Sequence, residues 1–173
     1  MDALNAATDF PHTLVPQLGG GTLTLGAPQG RGWQMVIIYR GLHCPICKRY
    51  LGELEALLPE FHAADVDVLV ASGDPEHKAQ AFKDEVGLSM PVGYDLTPDQ
   101  MHGLGLYVST PRSPQETDRP FPEPGLFVIN GDGQLQITDI SNAPFARPGL
   151  QGILNGIKFI RENSYPIRGT HAA

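Results

Sequence analysis

Trp33–Leu58 reads WQMVIIYRGLHCPICKRYLGELEALL. Val36, Ile37, Ile38 and Tyr39 form an uninterrupted apolar run, which predicts a short strand buried on both faces. Downstream, Leu51, Leu54, Leu57, Leu58 and Phe61 recur at helical spacing, with Arg49, Glu53, Glu55 and Glu60 between them. That pattern predicts an amphipathic helix, which Pro59 should bend or end early. Between strand and helix lie Cys44 and Cys47, the only two cysteines of the chain. They fall on the first helical turn, with Pro45 at the first helical position, where a missing N–H costs nothing.

This placement has chemical consequences. Residues three apart on a helix have Cβ atoms about 5–6 Å apart. A disulfide needs about 3.5–4.5 Å, so a small tightening of the turn closes the bridge. The unpaired N–H groups and partial positive charge at a helix start favour thiolate over thiol. Arg40, Lys48 and Arg49 add to this wherever they lie close. His43 precedes Cys44 and is positioned to tune its proton affinity. Zinc is disfavoured: one C-x-x-C is half of a structural site, and His43, His62 and His102 lack finger-like spacing. No metal and no other cofactor is expected.

The whole chain narrows the choice further. It has 173 residues, 41% of them hydrophobic, a formal net charge of −7 and a pI near 5.2. An acidic chain with scattered basic residues gives no reason to expect nucleic acid. No apolar run approaches the roughly 20 residues of a membrane helix. The opening MDALNAATDFPH lacks Lys, Arg and an apolar stretch, so no leader is read there and a cytoplasmic location is expected. In that reducing compartment, paired cysteines point to redox chemistry rather than to a staple.

Outward from the centre, residues 1–33 are rich in Gly, Pro and Thr, with one short strand around Leu23 and Leu25. VDVLVAS (Val66–Ser72) predicts a strand. GDPEHKAQAFKDEVGL predicts a helix capped by Asp74, with Pro75 first and a stop near Gly87. MPVGYD predicts a strand, and Thr97–Pro98 another capped helix. STPRSPQETDRPFPEP (109–124) predicts a long loop. GLFVIN, GDG and QLQITDI predict a hairpin turning at Gly131–Gly133. The last helix, about 148–163, carries the stripe Leu150, Ile153, Leu154, Ile157 and Ile160, to be packed on the sheet or on a second subunit. Strands alternating with helices imply parallel crossovers, and the hairpin adds antiparallel strands. The expectation is one three-layer α/β domain over 1–173 with a mixed central sheet.

Several segments together resemble the peroxiredoxin-like branch of the alkyl hydroperoxide reductase/thiol-specific antioxidant (AhpC/TSA) family, within the thioredoxin superfamily. They are VIIYRGLHCPICKRYLGELEALL, VLVASGDPEHKAQAFKDEVGLSMPVGYD, GLFVINGDGQLQITDI and the tail NAPFARPGLQGILNGIKFIRENSYPIRGT. The resemblance implies a thioredoxin-like sandwich with a C-terminal helical extension. In the family's Pro-x-x-x-Thr-x-x-Cys segment, Cys47 falls on the peroxide-reacting cysteine. Cys44 replaces the Thr, Arg40 replaces the Pro, and Pro124 stands where the family has an Arg. The departures match thioredoxin-like proteins, which pair a C-x-x-C dithiol with a facing proline. The resemblance thus implies that Pro124 is cis and lies against the cysteines.

By the thioredoxin pattern Cys44 is the exposed attacking thiol and Cys47 resolves. The function implied is thiol–disulfide exchange in redox homeostasis, through a reversible Cys44–Cys47 pair. By the peroxiredoxin register, peroxide oxidises Cys47 and Cys44 resolves, with Arg40 or Arg147 as candidate donors to the O–O bond. The implied partners are a thioredoxin-like or glutathione-type reductant and a protein disulfide or peroxide substrate; a homodimer is left open. A reading of another class is a non-catalytic interaction module using 109–124 and APFARPG as surfaces.

Overall fold

The structure, a computed structural model, describes residues 4–171. Its centre is a five-stranded mixed sheet in the order β5-β4-β3-β8-β9. These strands are β3 (Trp33–Ile38), β4 (Val66–Ala71), β5 (Val92–Gly93), β8 (Gly125–Ile129) and β9 (Leu135–Ile140). β3, β4 and β5 run parallel, while β8 is antiparallel to both β3 and β9. The helices are α1 (Pro45–Ala63), α2 (Glu76–Val86), α3 (Pro98–Gly103) and α4 (Leu150–Asn163). The pleat of β3 sends alternate side chains to opposite faces. Met35 and Ile37 join a core with residues of α1, α2 and α4. Val36 and Ile38 join a second core with α3 and the hairpin of β1 (Thr13–Pro16) and β2 (Thr22–Leu25). This is the thioredoxin-like three-layer arrangement, and its mixed sheet is the one expected.

Two short strands, β6 (Val108–Ser109) and β7 (Phe121–Pro122), pair antiparallel and close the base of the proline-rich segment. That segment is therefore a strap anchored at both ends rather than an open loop. β1 was equally unexpected, because a Pro-ended run of four residues carries little strand signal. The capped helix at Thr97 forms both bonds of a capping box with Gln100. The hairpin turns where predicted, with Asn130 Oδ1 accepting the N–H groups of Asp132 and Gln134.

Three local expectations are corrected. α1 continues through Pro59 to Ala63. Pro59 lies on the solvent side, and burial of Leu58 and Phe61 on the other side offsets the roughly 3 kcal/mol that an interior proline costs. α2 begins at Glu76 with Pro75 as its cap, so Asp74 does not cap it. Asp74 is turned inward instead, toward the loop before Cys44. In α4, Leu150, Leu154 and Ile157 are buried in the α1 core with Ile153 partly so, while Ile160 is only half-buried.

Candidate active site

The site begins where β3 ends. Tyr39 extends the pairing, its N–H donating to Ala71 O, and its buried ring packs on Phe82 with centroids 4.5 Å apart. The chain then turns through Gly41 at φ +135°, a region that favours glycine. A Cβ here would stand 2.7 Å from Asp74 Oδ1. The close approach lets Asp74 accept the Leu42 N–H at 2.7 Å, while the Cys44 N–H donates to Gly41 O. Burial pushes the Asp74 carboxyl up, against the pull of the Leu42 N–H. A buried carboxylate and a glycine thus fix the segment that delivers Cys44.

Cys44 is the N-cap of α1, and its Sγ accepts the Cys47 N–H at 3.2 Å. Pro45 occupies the first turn and is exposed. The two cysteines form a disulfide with Cα atoms 5.3 Å apart. Their exposures are 1% for Cys44 and 0% for Cys47, so Cys44 is not the exposed thiol that its position suggested. The reason is the cap itself. Folding back to take the Cys47 N–H turns the sulfur inward over the first turn.

Arg147, in the segment between β9 and α4, donates from Nη2 to Cys47 Sγ at 2.8 Å. Its guanidinium carbon lies 5.0 Å from the Tyr50 ring centroid, and the Tyr50 hydroxyl donates to Pro148 O at 2.7 Å. Tyr50, one turn after Cys47 on α1, therefore holds the segment that carries Arg147. Burial pulls the guanidinium down to about 10, which leaves it charged at neutral pH. Its Nε and Nη1 are buried without a partner among the described residues.

Arg40 is engaged elsewhere. Its Nε lies 3.0 Å from Glu123 Oε2, an ion pair not aligned as a hydrogen bond, and its guanidinium covers the Phe121 ring at 4.9 Å. Ser109 donates to the other Glu123 oxygen at 2.6 Å. His43 packs edge-on against Phe121 at 4.6 Å, and neither ring nitrogen has a partner among the described residues. Burial, then the nearby Arg40 charge, pulls His43 down to about 4, so it is neutral at pH 7.

Pro124 is trans, as is every peptide bond among the described residues. Its neighbourhood is regular extended pairing: the Glu123 N–H donates to Tyr107 O, and Pro124 O accepts from Ser141 N–H. An extended lead into β8 leaves no bend for a cis bond to make. Pro124 lines a narrow slot with Ile37, Tyr50, Leu126, Arg147 and Pro148, whose free space is about 10 Å³, room for one water-sized molecule. A wider cleft of about 640 Å³ opens at the other side, lined by Arg40, His43, Pro45, Arg112, Gln115 and Glu116.

The structure thus brings Arg147 to Cys47, and Arg40 to Glu123 rather than to sulfur. Tyr50, Phe121 and Glu123 support the site without having been singled out in the sequence, and Asp74 does so although it reads there as a helix cap. Gly41 after an apolar strand hinted at a close approach, but nothing local named Asp74. Among the described residues no group of three His, Cys, Asp or Glu is arranged to hold a metal ion, and no helix is long and apolar enough to cross a membrane.

Similar folds are found among solved structures. A variant of peroxiredoxin 6 from Arenicola marina superposes with TM-score 0.77 at 21% identity, covering 94% of this chain and 76% of that one. A peroxiredoxin-like protein from Aquifex aeolicus gives 0.76 at 16% identity, covering 92% and 90%. Peroxidoxin BcpB from Mycobacterium tuberculosis gives 0.75 at 18% identity, covering 91% and 99%. At these identities the likeness is one of fold. No curated protein matches the chain. The AhpC/TSA family model matches residues 5–138, from the first described turns into β9 with both cysteines inside, and the chain belongs to the AhpC/TSA family of thioredoxin-fold redox proteins.

Proposed function

We propose that the protein is a thiol peroxidase working through a reversible Cys44–Cys47 pair, with Cys47 as the sulfur that peroxide oxidises. The observation that carries this reading is the Arg147 Nη2 donor 2.8 Å from Cys47 Sγ. A buried guanidinium stabilises a Cys47 thiolate, and its unpartnered Nε and Nη1 are free to donate to a hydroperoxide. Burial of both sulfurs favours a small oxidant over direct attack by a bulky disulfide.

The steps balance. Cys47 thiolate attacks the terminal peroxide oxygen, the O–O bond breaks, and the alcohol or water leaves with one added proton. Cys47 becomes a sulfenic acid. Cys44 thiol then attacks that sulfur, water leaves, and the disulfide forms across one helical turn without large movement. One equivalent of a thioredoxin-type dithiol, or two equivalents of a glutathione-type monothiol, restores the pair by thiol–disulfide exchange.

A second reading has its own support. The Cys47 N–H donates to Cys44 Sγ, so the helix start also favours a Cys44 thiolate that attacks disulfide substrates. Trapping separates the two. The Cys44→Ser variant, treated with hydrogen peroxide and a sulfenic-acid reagent, should carry one label on Cys47. Absence of that label, with rapid reduction of a protein disulfide by the wild type, would replace peroxidase by disulfide reductase.

A further inference from the structure

The neighbours of the two sulfurs line different cavities. Cys47 touches Arg147, which lines the narrow apolar slot. Cys44 lies between His43 and Pro45, both of which line the wide polar cleft. We propose that this cleft is the reductant's site, and that the reductant is a small peptide thiol carrying carboxylates, of the glutathione class, which attacks Cys44. The proposal rests on the reading that the Cys44–Cys47 pair cycles.

Three observations carry it. The first is direction. In disulfide exchange the sulfur that leaves best is the one whose thiolate is stabilised. Only Cys47 has a guanidinium on its sulfur among the described residues, so Cys47 leaves and Cys44 is attacked. The second is size. The cleft, about 640 Å³, accommodates a tripeptide, while sulfurs exposed by 1% or less lie too deep for a folded protein to present its own sulfur without displacing the strap. That strap is tied down: Lys78 Nζ reaches Thr117 and Asp118, and Arg119 reaches Asp95. The third is lining. Arg112 is paired with Glu116 at 2.9 Å but is 86% exposed at the rim, so its guanidinium also reaches a carboxylate entering the cleft, and Arg40, paired with Glu123, adds positive charge there. His43, with neither ring nitrogen partnered, adds a buried hydrogen-bonding group beside Cys44.

The exchange proceeds in two steps. The peptide thiolate attacks Cys44 Sγ, the Cys44–Cys47 bond breaks, and Cys47 leaves as a thiolate on Arg147. A second thiolate attacks the peptide sulfur of the mixed disulfide. This releases the peptide disulfide and a Cys44 thiolate, so two electrons pass from two thiols to the pair.

The test starts from protein oxidised with diamide, so that no peroxide step enters. Reduced glutathione should reduce the wild type with saturating kinetics. Given glutathione disulfide, the Cys47→Ser variant should carry one glutathione on Cys44 and the Cys44→Ser variant none on Cys47. Arg112→Glu with Gln115→Glu should weaken the concentration dependence for glutathione about tenfold more than that for neutral β-mercaptoethanol. A thermal melt of the double variant checks its folding. An adduct on Cys47, or glutathione no better than β-mercaptoethanol while thioredoxin reduces the pair rapidly, would overturn the proposal. Either result leaves the peroxide reading standing, since that depends on the Cys47 sulfenate alone.

Discussion

Cys44 and Cys47 are joined at one helical turn and equally buried, yet their surroundings differ in kind. Cys44 is held by backbone: a cap, a glycine at positive φ, and Asp74 gripping the Leu42 N–H. Cys47 is held by a side chain from far along the chain, a guanidinium delivered by the segment before α4. The first arrangement lies inside the family match, and Arg147 lies beyond its end at 138. The difference teaches that a symmetric C-x-x-C pair becomes directional through what reaches it from outside the motif.

The largest expected effect breaks the symmetry outright. Cys47→Ser should abolish peroxide consumption, whereas Cys44→Ser should still consume one equivalent and stop at the sulfenate. Intact-mass spectrometry after a single peroxide addition reads both. Equal loss of the first oxidation in the two variants would erase the distinction between the sulfurs.

Next in size is the guanidinium. Arg147→Met should slow Cys47 oxidation by about 10²–10³-fold, the usual scale for losing one preorganised donor, measured by stopped-flow fluorescence of Trp33 or by competition for peroxide. Arg147→Lys should recover part of that rate, since a point charge replaces a fork. The thermal midpoint should move little, because two of the three guanidinium nitrogens are unpartnered.

Stability variants sharpen the comparison from each side. Gly41→Ala forces φ +135° on a residue with a Cβ and drives that Cβ toward Asp74, at a cost of about 1–3 kcal/mol. It should disturb the Cys44 end first. Leu154→Ala empties a fully buried position in the α4–α1 core and should cost about 2–5 kcal/mol. It loosens α4, which the Arg147 segment leads into, so its kinetic defect should fall on Cys47 oxidation and spare glutathione attack on Cys44. Urea melts give the energies, and the two rates show which sulfur each change affects.

Much of this was legible in the sequence where the signal is local. The β3 run, the α1 leucine spacing and Pro45 at the first turn placed the dithiol at a helix start, and Thr97 with Gln100 marked a capping box. What failed was decided by distant contacts. Asp74 reads as a helix cap until the turn at Gly41, far away in the chain, brings the Leu42 N–H to its carboxylate. Pro59 reads as a stop until the core claims Phe61 beyond it. Cys44 reads as exposed because it comes first, but a capping side chain folds inward. Arg40 and Arg147 were both candidates, and only the Tyr50–Pro148 hydrogen bond and the Arg40–Glu123 pair distinguish them. A cis Pro124 came from resemblance alone, and the pairing of Glu123 and Ser141 around it keeps the chain extended.

The smallest expected effect concerns His43, which neighbours Cys44 and not Cys47. Burial and Arg40 hold it down to about 4, against an ordinary value near 6.5. Between these values the unfolded chain binds a proton that the folded chain refuses, so stability must fall as pH drops. The contribution is complete above pH 6.5 and gone near pH 4. Discounted for the open side of the residue, it amounts to about 1–2 kcal/mol. Arg40, Arg112 and Lys78 face the imidazole and oppose its protonation, and Glu116 favours it. Asp74 works in the opposite direction, since burial raises it and its protonated form is favoured in the fold. A single wild-type curve therefore mixes the two, and the comparison with His43→Phe isolates the imidazole. Phenylalanine keeps the contact with Phe121 and removes two unpartnered nitrogens. Its urea midpoint should match or exceed the wild type at pH 7.5, and the gap in its favour should widen as pH falls toward 4. Parallel curves would mean that His43 takes up its proton as readily folded as unfolded, and that the neutral ring beside Cys44 is not maintained by the fold.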